Sequence, residues 1–267
     1  MNIERAKLIY FSPTRSTKKI MEGISEGLGF DAMESVDLTP PEMKTGAPEN
    51  ISDELVLLGA PVYSGRIPPQ AAERIRRFQG RHTPAVVVVV YGNRAYDDAL
   101  LELRDIAVAA GFRPIAGAAF IGEHSFADST TPIALGRPDQ NDLEKARKFG
   151  ESIRKKLNAI DSLDADPVLQ VPGTSPYKER RKGQPVSPVT REDICIKCGR
   201  CAEVCPEAAI QIADTVVTEP AACIRCFACV KNCPTGARRM EDPGMQKTAK
   251  WLSENCSARK EPEVFMQ

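Results

Sequence analysis

Five short apolar runs punctuate the first 160 residues of the chain, and helical patterns lie between them. Several of the runs are rich in Val or Ile, and turn or helix signals flank them, which is typical of strands. Strands that alternate with helices predict a parallel sheet covered on both faces, hence a doubly wound α/β domain. We therefore predict such a domain over residues 1–160, with strands at residues 6–11, 31–37, 55–59, 85–91 and 114–121.

Three segments beside these strands carry apolar side chains at helical spacing. Ile20, Ile24 and Leu28 share one face, and the pattern stops at Gly29, a residue type that commonly ends helices. The other two faces consist of Leu100, Leu103, Ala107 and Ala110, and of Leu143, Ala146, Gly150, Ile153 and Leu157. With these three and at least one further helix, for at least four in all, the five strands would complete a doubly wound domain.

The character of the chain changes at residues 161–188, which contain five prolines and the basic run at residues 178–182. Proline at this density predicts an extended linker, and the basic run is interpreted as a solvated surface, with a docking site as the alternative. A cysteine-rich domain is predicted over residues 189–242 and a helical tail over residues 243–267, with an apolar stripe ending at Cys256. The single Trp, Trp251, is predicted to be a packing anchor rather than a ligand contact.

Charge and hydropathy exclude several classes of function. The 36 Lys and Arg residues balance the 36 Asp and Glu residues, so the charge gives no sign of a nucleic-acid partner. No apolar run approaches the ~20 residues that span a bilayer, and the N-terminus lacks the apolar stretch of a signal peptide. A cytoplasmic protein without a membrane span is therefore expected.

Eight of the nine cysteines fall into two runs that start at Cys195 and Cys223, and both runs read C-x2-C-x2-C-x3-C-P. Two-residue gaps let three thiolates on a tight loop converge on one [4Fe–4S] cubane. Structural zinc and disulfides are the alternatives, but zinc usually takes pairs of cysteines, and disulfides do not fit a cytoplasmic chain. The spacing predicts two [4Fe–4S] clusters.

Residues 190–240 resemble bacterial-type two-cluster ferredoxins. The resemblance implies that the last cysteine of each run binds the cluster of the other run. One cluster would then have Cys195, Cys198, Cys201 and Cys233 as ligands, and the other Cys223, Cys226, Cys229 and Cys205. Four cations lie inside these loops, where they either raise the cluster potentials or point to water: Lys197, Arg200, Arg225 and Lys231.

Residues 12–17 form a hydroxyl-rich loop between the first strand and the first helix. Such a loop at a helix start can bind an anion, although Ser and Thr also serve as ordinary N-caps. In flavodoxin-like strand order, FMN binds beside the first and third strands. The loops after the third and fourth strands each offer Tyr and Gly to a flat ring. The candidate FMN-binding residues are Ser12, Thr14, Arg15, Ser16, Thr17, Pro61, Val62, Tyr63, Ser64, Gly65, Tyr91, Gly92, Asn93, Arg94, Tyr96 and Asp98.

These motifs resemble flavodoxins, because Ser12-x-Thr14-x-Ser16-Thr17 matches the phosphate fingerprint [ST]-x-T-G-x-T with Arg15 in place of glycine. The whole chain resembles the flavodoxin–ferredoxin fusion proteins of anaerobes, the ferrodoxin family. The resemblance includes the segment at residues 122–139, which is long for a loop and is expected to cover one edge of the flavin. His124 in this segment is interpreted as a structural hydrogen-bonding residue, with proton donation to flavin or product as the alternative.

The leading functional hypothesis is an electron-transfer flavoprotein that exchanges electrons between FMN and the clusters. The alternatives are a flavin-dependent reductase of a small organic substrate and a reductive activator of another metalloprotein. The expected partner is a redox protein or a small electron acceptor, and a homodimer is compatible with the sequence. A closed pocket over the flavin would favour the reductase, whereas an open flavin edge with a charged rim would favour a protein partner.

Overall fold

The computed structural model describes residues 3–163, 167–180 and 184–266. Up to residue 163 the chain forms β1 (Arg5–Tyr10), α1 (Ser16–Leu28), β2 (Ala32–Asp37), a 3₁₀ turn (Pro41–Lys44), β3 (Glu49–Ile51), β4 (Leu55–Pro61), α2 (Pro69–Ile75), β5 (Phe78–Gly80), β6 (Thr83–Tyr91), α3 (Ala99–Ala109), β7 (Phe112–Ile121) and α4 (Gln140–Ala159). The later elements are β8 (Val189–Thr190), α5 (Arg200–Glu203), β9 (Ile210–Ile212), β10 (Val216–Thr218), α6 (Ala228–Lys231), β11 (Arg238–Arg239), α7 (Pro243–Asn255) and β12 (Glu263–Met266).

The central sheet has the order β12-β7-β6-β4-β1-β2. Its five N-terminal strands are parallel, and β12 runs antiparallel to β7 at the edge. In order of appearance the parallel strands read 2-1-3-4-5, which is the doubly wound flavodoxin-like order. The predicted fold class is therefore confirmed. The order changes direction between β1 and β4, and a crevice opens there at the carboxyl ends of the strands.

Helices cover the sheet on both faces because the central strands are apolar on both sides. Every residue of β6 is buried, as expected of a strand between two helical layers. Helices α2 and α3 pack on one face, and α1 and α4 on the other. The second pair approaches so closely that a Cβ on Gly150 would lie 2.1 Å from the carbonyl oxygen of Ile24. Within the described residues, no helix is both long and apolar enough to cross a lipid bilayer.

Residues 167–180 lie against the α/β domain along α3. Leu169 is 1% exposed and belongs to the core on the α3 side of the sheet. The backbone N–H groups of Thr174 and Lys178 donate to the Asp98 carboxylate, and the Tyr177 hydroxyl donates to Asp105. We call this segment the strap. Residues 164–166 and 181–183 of the predicted linker, which include two residues of the basic run, lie outside the described residues.

The chain after residue 242 closes over the domain and returns to the sheet. The predicted stripe packs in part, since Ala249 and Leu252 of α7 are buried. The strand β12 was not predicted, and it pairs with β7 through four residues. The prediction that Trp251 is a packing anchor is wrong, because its side chain is 52% exposed and lines a cavity.

Candidate functional site

Four hydroxyl side chains converge at the start of α1, at the carboxyl end of β1. Ser12, Thr14, Ser16 and Thr17 line a small cavity of about 50 Å³, which we call the hydroxyl cavity. The Ser12 hydroxyl accepts a hydrogen bond from the Lys18 amide at 3.0 Å, which folds the loop around the helix start. Amide groups at a helix start and hydroxyl donors suit a phosphate monoester, so the cavity fits the phosphate of FMN.

Arg15 occupies the glycine position of the phosphate fingerprint in a glycine-like conformation. Its φ is 65°, in the left-handed region, and its amide donates to the Ser12 carbonyl at 3.0 Å. The loop therefore keeps the turn that glycine would allow, at a steric cost of about 1–2 kcal/mol for a side-chain-bearing residue. The Arg15 side chain is exposed and does not line the hydroxyl cavity, so it takes no part in the cavity wall.

We expect Arg15→Gly to keep or raise the stability of the protein, by up to about 1 kcal/mol. Glycine relieves the left-handed strain, and its greater freedom in the unfolded chain offsets part of the gain. Arg15→Val should lower stability, because a β-branched residue is strained further at positive φ. Urea unfolding and FMN titration of both variants would check this. Equal losses in the two variants would show that the arginine side chain, and not the backbone turn, matters here.

A second, much larger cavity of about 590 Å³ begins where the hydroxyl cavity ends. Val62, Tyr63, Gly92, His124 and Ser125 line both. We call the larger one the interdomain cavity, because Ile224 and Arg225 of the cysteine domain also line it. Its size lies within the usual range for small-molecule sites, about 300–1,000 Å³. It fits the isoalloxazine ring of a flavin whose phosphate lies in the hydroxyl cavity.

The two loops proposed for the ring are held by tight backbone turns. Tyr63 and Arg66 exchange backbone hydrogen bonds across a turn in which Ser64 and Gly65 have φ of 54° and 83°. Gly92 approaches His124 so closely that a Cβ would lie 2.3 Å from its ring. Both loops thus line the cavity with tightly turned backbone as well as with side chains such as Tyr63. Of the predicted residues, Ser64, Gly65 and Arg94 also line the interdomain cavity, and Pro61 and Tyr91 line the hydroxyl cavity.

Three other predicted FMN-binding residues lie outside both cavities because they support neighbouring segments. The Asn93 side chain is buried and donates to the carbonyl oxygens of Cys256 and Ala258 at 2.6 and 2.8 Å. The Tyr96 hydroxyl donates to Glu263 of β12 at 2.8 Å. Asp98 accepts the amides of the strap, as described above. These side chains fasten the tail and the strap, and we correct their assignment as direct cofactor contacts.

The segment after β7 places His124, Ser125 and Phe126 in the wall of the interdomain cavity. His124 Nδ1 accepts the Phe126 amide at 3.1 Å, which is the structural hydrogen bond expected of this residue. Burial lowers the pKa of His124 to about 4, and the cations of Lys231 and Arg94 act in the same direction. His124 is therefore neutral near pH 7, with Nδ1 already occupied as an acceptor.

The lowered pKa of His124 predicts a pH-dependent loss of stability. The unfolded histidine takes up a proton below about pH 6.5, whereas the folded one resists until about pH 4, so acid favours unfolding. We expect the contribution of His124 to fall by about 2 kcal/mol between pH 7 and pH 5. Urea unfolding of the wild type and of His124→Asn at both pH values would measure it. Equal pH dependence in the two proteins would contradict the prediction.

The eight clustered cysteines border two small cavities. Cys195, Cys198, Cys201 and Cys233 line one, which we call the first cysteine cavity. The second cysteine cavity is lined by Cys205, Cys223, Cys226 and Cys229. Each cavity thus receives three cysteines from one run and the last cysteine of the other run. This exchange is the arrangement that the resemblance to two-cluster ferredoxins implies.

The donor set of each cysteine cavity fits a cubane cluster. Cysteines 195–256 are all free thiols. Within the described residues, no three His, Cys, Asp or Glu side chains are grouped as ligands of a single metal ion, whereas a cubane needs thiolates spread around four corners. Burial raises the pKa of Cys229 to about 11, against the opposing effect of Arg238. Deprotonating such buried thiols requires added positive charge, which cluster iron supplies.

Arg238 is a site residue that the sequence analysis missed. Its side chain is 2% exposed, lines the first cysteine cavity and approaches Cys229 Sγ to 3.9 Å. It donates to the Pro188 carbonyl oxygen at 2.9 Å and to the Thr190 hydroxyl at 2.6 Å. Arg238 therefore places buried positive charge between the two cysteine cavities. It lies outside the ligand loops, so spacing within the repeat gave no signal for it.

The four cations inside the ligand loops have separate roles. Lys197 and Arg200 are paired at the surface, with the Asp214 carbonyl oxygen and with Glu203. Lys231 binds Glu123 at 2.6 Å and so joins the cysteine domain to the segment after β7. Arg225 lines the interdomain cavity and not the second cysteine cavity.

A buried arginine joins the two domains on the other side of the cysteine repeat. Arg74 of α2 donates to the Pro206 carbonyl oxygen and to Glu207, both at 2.9 Å. The same guanidinium donates to the Leu38 and Thr39 carbonyl oxygens at 2.6 and 3.0 Å. Pro206 follows Cys205 directly, so Arg74 holds the last cysteine of the first run against the α/β domain.

Ile224 forms a wall common to the interdomain cavity and the second cysteine cavity. It lines both the interdomain cavity and the second cysteine cavity, and it packs on the core of the α/β domain. Tyr63, which lines both the hydroxyl cavity and the interdomain cavity, lies near the same loop, and its pKa is raised by burial and by its proximity to Cys226 and Cys223. The first cysteine cavity has no lining residue in common with the interdomain cavity. The second cysteine cavity is thus the one beside the interdomain cavity.

Comparison with known proteins finds one family match and several similar structures. Residues 194–237 match the family of the 4Fe-4S dicluster domain. No curated protein sequence matches the chain. Structures similar to it include a flavodoxin from the domain Archaea (16% identity over 58% of this chain and 99% of that one, TM-score 0.37). A flavodoxin of Fusobacterium nucleatum bound to flavin mononucleotide has the same identity and coverage, with a TM-score of 0.40.

A third similar structure is a rubredoxin oxygen:oxidoreductase of the anaerobe Desulfovibrio gigas (17% identity, 58% of this chain and 36% of that one, TM-score 0.42). At these scores the fold assignment depends on the strand order and not on the similarity. The strand order and the family match together show that the chain joins a flavodoxin-like α/β domain to a 4Fe-4S dicluster domain.

Proposed function

We propose that this protein is an electron-transfer flavoprotein in which FMN exchanges electrons with two [4Fe–4S] clusters of the same chain. The observation that carries the proposal is the wall at Ile224, which separates the interdomain cavity from the second cysteine cavity. A flavin and a cluster on its two sides would be separated by one side chain. Such proximity is what a relay inside one chain needs.

Each group of residues has a defined task in this proposal. The hydroxyls and amides of residues 12–17 bind the FMN phosphate, and the loops at Tyr63 and Gly92 position the ring. The two sets of four cysteines bind the clusters. Flavins accept electrons singly or in pairs and clusters pass them singly, so the bound cofactors would convert between the two modes. The cysteines must stay reduced to bind iron, which fits our proposal of a cytoplasmic location.

The positions of the cavities also support an order of the proposed cofactors. The cluster on Cys205, Cys223, Cys226 and Cys229 would lie beside the flavin. The cluster on the other four cysteines would lie farther away, with Cys198 exposed at the surface. An external redox partner would then meet the outer cluster, and the inner cluster would connect it with FMN.

Rapid mixing of the oxidised protein with a low-potential one-electron donor tests the relay. We expect the clusters to be reduced first and the flavin afterwards, at a rate independent of protein concentration because the second step is intramolecular. Visible absorbance follows both cofactors. The relay proposal fails if the flavin stays oxidised while the clusters are fully reduced, or if its reduction accelerates in proportion to protein concentration.

A second candidate, a flavin-dependent reductase, is favoured by the covered flavin site. Helix α7 contributes Met245, Thr248 and Trp251 to the wall of the interdomain cavity, and the strap contributes Arg180. A covered site favours a small acceptor over a protein docking directly on the flavin edge. In this version the clusters feed the flavin, and the small molecule receives the electrons.

A further inference from the structure

The interdomain cavity has a far wall that the hydroxyl cavity does not share. Arg94, Arg180, Arg225 and Trp251 line the interdomain cavity alone. They come from four separate segments: the loop after β6, the strap, the loop of the second cysteine run, and α7. Two of these segments, the strap and α7, belong neither to the parallel sheet nor to residues 194–237. Half of the far wall, Arg180 and Trp251, therefore comes from segments outside the parallel sheet and the dicluster domain.

The charged side chains of this wall are all positive. Among the described residues that line the interdomain cavity are three arginines and no Asp or Glu. Arg94 forms an ion pair with Asp97, and Arg180 pairs with Glu102 at 2.9 Å. Within the described part of the chain, the Arg225 side chain forms no hydrogen bond and no ion pair, and only its backbone amide is engaged, with Cys223. Arg225 is thus the one arginine of the wall whose side chain has no carboxylate partner among the described residues, and it can bind a monoanion.

Trp251 gives the same wall a flat apolar surface. Its indole is half exposed, although a large aromatic side chain normally gains most by being buried. It lies on the cavity side of α7 next to Leu252, which is 5% exposed and fixes the helix against Ala127 and Ile133. An indole held at a cavity wall can stack on a planar ligand.

We propose that the far side of the interdomain cavity binds a small planar organic monoanion, a carboxylate on an aromatic or conjugated group. The carboxylate binds the guanidinium of Arg225, and the planar group lies against Trp251. Guanidinium groups bind carboxylates through two parallel hydrogen bonds, which selects a carboxylate over a neutral amide of the same shape. The inference depends on the proposed function, since it assumes that FMN fills the near side of the cavity.

Calorimetric titration of the oxidised holoprotein with trans-cinnamate and with cinnamamide tests this site. We expect cinnamate to bind at least about tenfold more tightly than the amide, because the amide lacks the charge-assisted pair. Trp251 is the only Trp of the chain, so quenching of its fluorescence should follow the same binding curve. Arg225→Gln should reduce the difference between the two ligands to about twofold or less, while FMN and iron content remain those of the wild type.

Arg5→Gln is the matched control, because Arg5 is exposed at the amino end of β1, whereas the cavities lie at the carboxyl ends of the parallel strands. It should bind cinnamate like the wild type. Trp251→Leu should weaken both ligands. Equal affinity for cinnamate and cinnamamide, or no binding of either, would overturn the proposal, as would loss of FMN from Arg225→Gln with cinnamate affinity unchanged. The titration needs no electron transfer, so a protein that relays electrons but ignores cinnamate disproves this site alone.

Discussion

Cys205→Ser is expected to abolish flavin reduction by an external donor while one cluster remains. Cys205 belongs to the first cysteine run, yet it lines the cavity of the second run beside the flavin site. Its loss should therefore remove the inner cluster, and iron should fall from about eight to about four per chain. Iron analysis and rapid-mixing absorbance would show an outer cluster that is still reduced and a flavin that is not.

Two further variants make this result specific. Cys233→Ser should remove the outer cluster instead, because Cys233 lines the first cysteine cavity. Cys256→Ser should keep all the iron, since Cys256 caps α7 and lines neither cysteine cavity. If Cys205→Ser lost the cluster of Cys195, Cys198 and Cys201, each run would supply its own fourth ligand and the exchange would be disproved.

The parts of the site that could be predicted from the sequence are motifs whose residues lie close together in the sequence. Thiolates spaced by two residues converge on one cluster wherever the loop lies. The hydroxyl loop follows a strand and precedes a helix, so its backbone amides point to one place. Both motifs are found at the expected positions. Arg15 can stand in place of the fingerprint glycine for a local reason, because its backbone adopts the required positive φ.

The parts that escaped prediction depend on partners far along the chain. The segment at Glu263–Met266 becomes a strand because the edge of β7 offers unpaired backbone groups, more than 140 residues earlier. The strap is ordered for a comparable reason, through Leu169 in the core and the Asp98 carboxylate. Hydropathy along the sequence reports burial but not the partner. The prediction for Trp251 was wrong for the same reason. A large aromatic residue usually packs in a core, and the sequence does not show the cavity that Trp251 lines.

Asn93, Tyr96 and Asp98 illustrate the limit of reasoning by position. They lie at the carboxyl end of β6, where ligand-binding loops of parallel sheets gather. Only some side chains of such a loop face the ligand, and the others must hold the loop. Here these three side chains bind the tail, β12 and the strap. The cavity wall is thus shaped by segments that these residues fasten rather than by the residues themselves.

Arg74→Gln is expected to uncouple the two domains without removing either cofactor. The Arg74 side chain is 2% exposed and binds Pro206 and Glu207 of the cysteine domain. Its removal leaves the Glu207 carboxylate and several carbonyl oxygens without a buried donor, which should cost about 3–5 kcal/mol. FMN and iron contents should match the wild type, because Arg74 lines no cofactor cavity. Reduction of the flavin through the clusters should slow, while direct chemical reduction of the flavin stays unchanged.

The matched control is Arg76→Gln, which removes the same charge two residues away on an exposed side chain. It should behave like the wild type in both urea unfolding and flavin reduction. The comparison separates a loss of domain docking from a loss of folding. A variant that unfolds loses FMN. A variant whose domains no longer dock keeps FMN, and only its electron transfer from the clusters to the flavin becomes slower. If Arg74→Gln lowered the unfolding free energy but left that rate intact, the contact at Pro206 and Glu207 would stabilise the chain without setting the distance between the inner cluster and the flavin.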